Sequence, residues 1–502
     1  MWPASIAERN GRAFRDGLAV VDDRCRLTYG ELAERSLRLA SGLRRLGVRR
    51  GDRVALLSRN RAEVLESYLA LGRIGAAAVP VNHGLVAPEV EYVLSECSVV
   101  GMLGEAPLLA GAASGLRFAI DFDGSGYRSL VRAEEIQPMP EPGLGDMAAI
   151  LFTSATTGRP KGVVLSQGSL MSSSLSWLAT ARPAPGTTFL SAPPLFHSTV
   201  TIVFAYLAAG ATVLLMRRFS PQLCLALVEE EKANHLYLVP SMVNYLLRAK
   251  GLGGADLTSV TDVIHGAAPM PGGLRRRAEE AFGAALRDCY GQAEAGGAIT
   301  LGDPKPHSPQ LRAKIEGEPG TCGRPLLGMT ASILTGSGEE ASAGELGEVC
   351  VHGRALMDGY WENPGATASV MRDGRLRTGD IGRLDEDGYL YLMDRRVDLI
   401  IRGGQNVYPA EIERVLHGHH GVADVAVVGA ADEAVQEVPV AYVVAERGWP
   451  ADAEELMLYA GARLASYKRP NHIEFVESLP RSPAGKILKK VLRGAREGES
   501  AG

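Results

Sequence analysis

Between Phe152 and Val163 the chain reads Phe152-Thr153-Ser154-Ala155-Thr156-Thr157-Gly158-Arg159-Pro160-Lys161-Gly162-Val163, hydroxyls, glycines and two cations between apolar flanks. Small residues let backbone N–H groups approach phosphate oxygens, hydroxyls add hydrogen bonds, and Lys161 or Arg159 can neutralise charge. A triphosphate tail suits such a loop. The GxxxxGK[ST] spacing of a Walker loop is not met, and taken alone the stretch also reads as a polar surface loop. Other chemistry-bearing residues stand far off along the chain: His197, Asp288, Tyr290, Glu294, Asp380 and, between Pro483 and Ile487, Lys486. Singly, each has an ordinary reading. His197 beside Phe196 reads as a satisfied core residue, Glu294 as a helix-start glutamate, Asp380 as a turn acid, and Lys486 as tail charge beside Lys489 and Lys490.

The elements that must bring these residues together follow from the apolar pattern. Tyr29 to Leu46 and Ala62 to Ile74 read as amphipathic helices, Arg53 to Leu57 and Ala76 to Val81 as strands. This alternation predicts an α/β fold of layered, mainly parallel sheets in the first part of the chain. Leu103 to Gly126, rich in Gly, Ser and Ala, reads as surface loops with little core. From Gly344 to Leu392 short strands separated by turns predict a β-rich subdomain. A helix from Pro409 to His417, strands at 422–428 and 438–444, and a helix near 453–464 then predict a small α+β domain. The expected division is a large N-terminal domain, 1–394, and a small mobile C-terminal domain, 395–502, with a hinge near 395–398.

Composition sets limits. With 502 residues, 46% of them hydrophobic, the chain exceeds the roughly 250–300 residues at which single cores stop growing. A net charge of -5 gives no general attraction to nucleic acid or anionic membrane. The six cysteines are scattered without a CxxC pair, which points to neither a disulfide framework nor a zinc site but to a reducing cytoplasm. The N-terminus lacks a secretory pattern. Val200 to Met216 is uncharged but shorter than the ~20 residues of a spanning helix, and Gly210 divides it into a helix-like and a strand-like half, so no membrane span is expected.

Beyond the phosphate-loop candidate come Gly266-Ala267-Ala268-Pro269, Asp288-Cys289-Tyr290-Gly291-Gln292-Ala293-Glu294, Arg377-Thr378-Gly379-Asp380, Asp394-Arg395-Arg396-Val397-Asp398, Gly403-Gly404-Gln405-Asn406 and Pro483-Ala484-Gly485-Lys486-Ile487. In this order, over nearly the whole chain, they resemble the adenylate-forming superfamily, in its acyl-CoA synthetase branch. The resemblance implies ATP or an acyl-adenylate held by Thr153, Ser154, Thr156, Thr157, Gly158, Gly266, Ala267, Ala268, Asp288, Tyr290, Gly291, Asp380 and Arg395. Tyr290 would stack on adenine, Asp288 and the 266–268 backbone would contact its edge, and Asp380 would accept both ribose hydroxyls. Glu294 would hold Mg²⁺, Lys161 and Lys486 would stabilise charge as the adenylate forms, and Gly403 and Gly404 would serve the step that uses coenzyme A. His197, Tyr237, Ser241, His265, Gly266, Gly296 and Gly297 would shape the acyl pocket, and small residues near Glu294 hint at room for a bulky apolar or aromatic acid.

The implied activity is an AMP-forming acid–thiol ligase acting on a small-molecule carboxylic acid. Three residues depart from the family's pattern: Ala155 where glycine is usual, Ala293 where threonine is usual, and Val397 at a hinge position commonly Asp or Lys. Two of these touch phosphate handling. They leave open an enzyme with weak adenylation that acts mainly on an acyl-adenylate from an upstream enzyme. Loading of a carrier protein and non-catalytic nucleotide binding are further alternatives.

Overall fold

The computed structural model describes residues 2–499 except 111–114, 134–135, 137–138, 154–159, 269, 271, 305–307, 317–319, 396–397, 403–404, 433–434 and 482–486. Local signals set the element ends. Thr28 caps the Tyr29–Arg45 helix, accepting the Glu31 N–H at 3.2 Å while the Glu31 carboxylate accepts the Thr28 N–H at 2.8 Å, a reciprocal capping box. Gly210, at φ 80°, ends the Thr199–Ala209 helix and turns the chain into the Thr212–Leu215 strand. A Cβ there would lie 2.7 Å from the Phe14 ring, so backbone freedom and packing both require glycine. Among the described residues no helix is long and apolar enough to cross a membrane.

The expected α/β architecture is present, as a large N-terminal and a small C-terminal domain. A nine-stranded sheet runs in the order 324–325, 297–301, 285–292, 262–266, 235–238, 188–191, 212–215, 18–21, 26–28. Its central strands are parallel and covered on both faces. In the Asp262–Gly266 strand Ile264 enters one core, with Tyr206 and Val203, and Val263 the other, with Val228 and Phe282. Near-continuous apolar runs are what two buried faces demand. A seven-stranded sheet follows the order 359–360, 161–166, 147–153, 77–81, 53–57, 101–104, 119–121. The β-rich subdomain is antiparallel, 329–334, 347–353, 375–384 and 371–372, with 390–395 also on 375–384. A last sheet, 405–407, 400–402, 436–445 and 422–432, with 472–475 parallel to 436–445, carries its own core around Ile412, Val427 and Val443.

One expectation is corrected. The 103–126 region is not all surface loop: Gly101–Gly104 and Ala119–Asp121 complete the seven-stranded sheet, and Ser125–Arg132 is a helix. Phe122 and Tyr127 are buried, and the Tyr127 hydroxyl donates to Glu66 at 2.5 Å. Glycine, serine and alanine dilute the periodicity here, so a few large side chains carry the burial.

Candidate active site

The site is built where three sheets meet at residues 290–294. Met147–Thr153 and Lys161–Ser166 run antiparallel with Thr153 opposite Lys161, so they flank the loop whose Ser154, Thr156, Thr157, Gly158 and Arg159 lie outside the described residues. The outer edge of Lys161–Ser166 pairs with Gly359–Tyr360, placing Tyr360 opposite Val163. From there the Tyr360 ring lies under Lys161 Nζ, 5.0 Å from its centroid, and the Tyr360 hydroxyl donates to Glu294 Oε1 at 2.9 Å. The Glu294 carbonyl accepts the Met357 N–H at 2.9 Å, which ties the short 293–295 turn to the same segment. Glu294 is 9% exposed, and its second carboxylate oxygen has no partner among the described residues. One such oxygen suits a hard cation that shares its ligands with substrate phosphates, so the residues fit Mg²⁺.

Tyr290 and Asp380 stand beside the same turn. Tyr290, buried, donates its hydroxyl to Asp380 Oδ2 at 2.6 Å. Asp380 is also buried, and its N–H donates to Thr378 Oγ1 at 3.1 Å. The backbone of Arg395 is in register with Asp380; its side chain lies outside the described residues. Asp288 accepts from the buried Arg275, whose other amino group donates to the Leu286 carbonyl at 2.9 Å. This holds the carboxylate as an acceptor, the chemistry needed to meet an exocyclic amino group. Gly266 packs against the next strand, where a Cβ would lie 2.5 Å from the Cys289 carbonyl. Ala267 follows at φ 68°, a left-handed conformation in which a Cβ is costly, and Ala268 is partly buried. Gly291 is exposed.

The residues expected to shape the acyl pocket divide into two groups. Tyr237 is opposite Ser191 and Ile264, and it shares their core with Val200 and Val203 of the Thr199–Ala209 helix. His197, just before that helix, presents a buried Nε2 with no hydrogen-bond partner among the described residues, and burial pushes its pKa down to about 4. It is therefore a neutral imidazole with an unmet polar atom. Ser241 is the second residue of the Pro240–Leu247 helix and is partly buried. His265 departs from its expected place. It alternates with Ile264, faces the Gly272–Phe282 helix, and its Nε2 accepts from Arg275 at 3.1 Å, so it lies on the opposite sheet face from Tyr237. Burial pushes its pKa, too, down to about 4. Nor do the glycines beside Glu294 open room: a Cβ on Gly296 would lie 2.3 Å from the Ala355 carbonyl, and one on Gly297 2.9 Å from Thr201 Oγ1. They permit close approach of neighbouring segments.

Lys486, Gly403 and Gly404 lie outside the described residues. Arg493 pairs with Asp398 at 2.6 Å within the C-terminal domain, and Arg248 of the N-terminal domain pairs with Glu446 at 2.7 Å. Two features lie away from the site. A cavity of about 320 Å³ near Arg59 and Arg217 has those two cations already paired with Glu105. His419, His420 and Glu455 cluster, but His419 Nδ1 accepts the Gly421 N–H at 3.2 Å and its Nε2 proton is spent on Glu455 at 3.1 Å, a tautomer that leaves no lone pair for a metal. Sequence reasoning missed Tyr360 and Arg275. Neither carries a chemical signature; each acquires its place through strand or helix packing.

Comparison with known proteins identifies the family. The AMP-binding enzyme family matches residues 7–361, and the AMP-binding enzyme C-terminal domain matches residues 411–486. The chain is 36% identical to a feruloyl-CoA synthase of an Amycolatopsis species, covering 98% of each. It is likewise 36% identical to the long-chain-fatty-acid–CoA ligase FadD13 of Mycobacterium tuberculosis, covering 93% of each. Among solved structures, the o-succinylbenzoate CoA synthetase of Bacillus subtilis with its acyl-adenylate intermediate superposes with a TM-score of 0.85 at 30% identity over 97% of both chains. The chain belongs to the AMP-binding enzyme family, in the acyl-CoA synthetase branch of the adenylate-forming enzymes, and is an AMP-forming acid–thiol ligase.

Proposed function

We propose that this enzyme carries out both half-reactions, joining an apolar carboxylic acid to coenzyme A through an acyl-adenylate. In the first, a carboxylate oxygen attacks the ATP α-phosphorus in line and the bond to pyrophosphate breaks. In the second, the CoA thiol attacks the acyl carbonyl, loses its proton, and AMP leaves. The observation that supports this reading is the joining of Lys161, Tyr360 and Glu294 on one side of the 290–294 segment with Tyr290 and Asp380 on the other. In its terms, Lys161 and the 153–158 loop receive the phosphates, Asp380 and Arg395 the ribose, and Tyr290, Asp288 and the 266–268 backbone the adenine. Mg²⁺ on Glu294 would supply charge neutralisation at the phosphates. Lys486 would approach for adenylation from a C-terminal domain of residues 395–502 that turns about 395–398, and Gly403 and Gly404 would replace it for thioester formation. His197 offers its unmet nitrogen to the acyl carboxylate, and the apolar surroundings of Tyr237 and Ile264 suit an apolar acid.

A second reading, in which adenylation is weak and a preformed acyl-adenylate is the working substrate, draws on Ala293. Its methyl packs against the core, so the hydroxyl at Glu294 comes from Tyr360 and not from position 293. The six cysteines are free, which supports a reducing cytoplasm as the site of action. A panel of carboxylates with ATP, Mg²⁺ and CoA, scored by mass for CoA thioester and for AMP, tests the proposal. Thioester formed on a phosphopantetheinyl carrier but not on CoA would favour carrier loading, and bound nucleotide without AMP would favour a binding protein.

A further inference from the structure

Lys161 and Glu294 carry opposite charges and share a neighbour, yet they form no ion pair with each other among the described residues. The side chain between them is Tyr360, which offers its ring face to the lysine and its hydroxyl to the carboxylate. Its place is fixed by backbone: Gly359–Tyr360 pairs with Lys161–Ser166, and the Trp361 N–H donates to the Gly162 carbonyl at 2.7 Å. A direct lysine–carboxylate pair would satisfy both groups and leave neither free for a ligand. A phenol instead orients the carboxylate through one oxygen and leaves the other open to a cation, while its ring face holds the lysine loosely enough for a phosphate to take it.

We propose that Tyr360 is a positioning residue for Mg·ATP: it keeps Lys161 and Glu294 apart and oriented, one for phosphate and the other for the cation. The inference rests on the reading that ATP binds at this site. Tyr360→Phe keeps the ring and spacing and removes only the hydroxyl, whereas Tyr360→Leu removes both and lets the ion pair form.

The test is calorimetric titration of ATP into the full-length enzyme across a Mg²⁺ series, without acid or CoA, with AMP as a ligand lacking the distal phosphates. Y360F is expected to raise the Mg²⁺ needed for half-maximal ATP affinity about three- to tenfold, the scale of one lost hydrogen bond, with AMP affinity unchanged. Y360L is expected to weaken ATP binding further even at saturating Mg²⁺, and Glu294→Gln in the Y360F background to add little to E294Q alone. Coincident Mg²⁺ curves for wild type and Y360F would overturn the inference while leaving the ATP site intact. Wild-type ATP binding that ignores Mg²⁺ would overturn the assignment of Glu294 and this inference with it.

Discussion

The Tyr290 hydroxyl donates to Asp380 Oδ2 at 2.6 Å across 90 residues of sequence, joining the nine-stranded sheet to the antiparallel subdomain. The bond orients the carboxylate proposed to receive the ribose. Tyr290→Phe is expected to weaken AMP binding and to lower stability by about 1.5–3 kcal/mol, the range for a hydrogen bond to a charged group. AMP calorimetry and denaturant unfolding check both.

Ala267 sits at φ 68° in the segment proposed to face adenine. Ala267→Gly is expected to stabilise the protein by about 1 kcal/mol through relief of the left-handed strain, less what glycine adds to the entropy of the unfolded chain. Thermal melts of apo and AMP-bound enzyme measure it.

The buried histidines set an acid limit. His197 and His265 have folded pKa values of about 4, below the unfolded value of about 6.5. The unfolded chain binds more protons between these values, so stability falls as pH drops from about 6.5 toward 4. Replacing His265 by Gln is expected to flatten that part of the stability–pH curve in urea titrations. His197→Gln should do the same while also lowering activity.

Arg275 holds Asp288 and donates to His265 from within the protein. Arg275→Met strands a carboxylate that is only 21% exposed, and a loss of about 3–5 kcal/mol is expected, readable by unfolding. Asp288→Asn in the same background should recover part of it, because the neutral amide is cheaper to leave unpaired.

Much of this fold was legible from apolar periodicity. The Ala62–Ile74 and Pro409–His417 helices and the division of the 200–216 run at Gly210 follow from patterns that local physics enforces. The 103–126 segment was not, because Phe122 and, just past its end, Tyr127 bury themselves from a background of small residues. Candidate site residues that lie close along the chain, such as Tyr290 and Glu294, were visible as a motif. The position of His265 was not, since one step of strand alternation decides which core it enters, and Tyr360 was silent because only strand pairing gives it Lys161 and Glu294 as neighbours. Glycine content near Glu294 misled for a related reason: a missing side chain marks close approach of backbone as readily as empty space.

The central claim is that one chain performs adenylation as well as thioester formation, and carboxylate-dependent exchange of labelled pyrophosphate into ATP tests it most directly. Brisk exchange is expected in wild type, lost by at least about a hundredfold in Lys486→Ala, a loss of roughly 3 kcal/mol in transition-state stabilisation. CoA transfer from synthetic acyl-adenylate should persist in that variant. Negligible wild-type exchange beside rapid CoA transfer from the adenylate would contradict it.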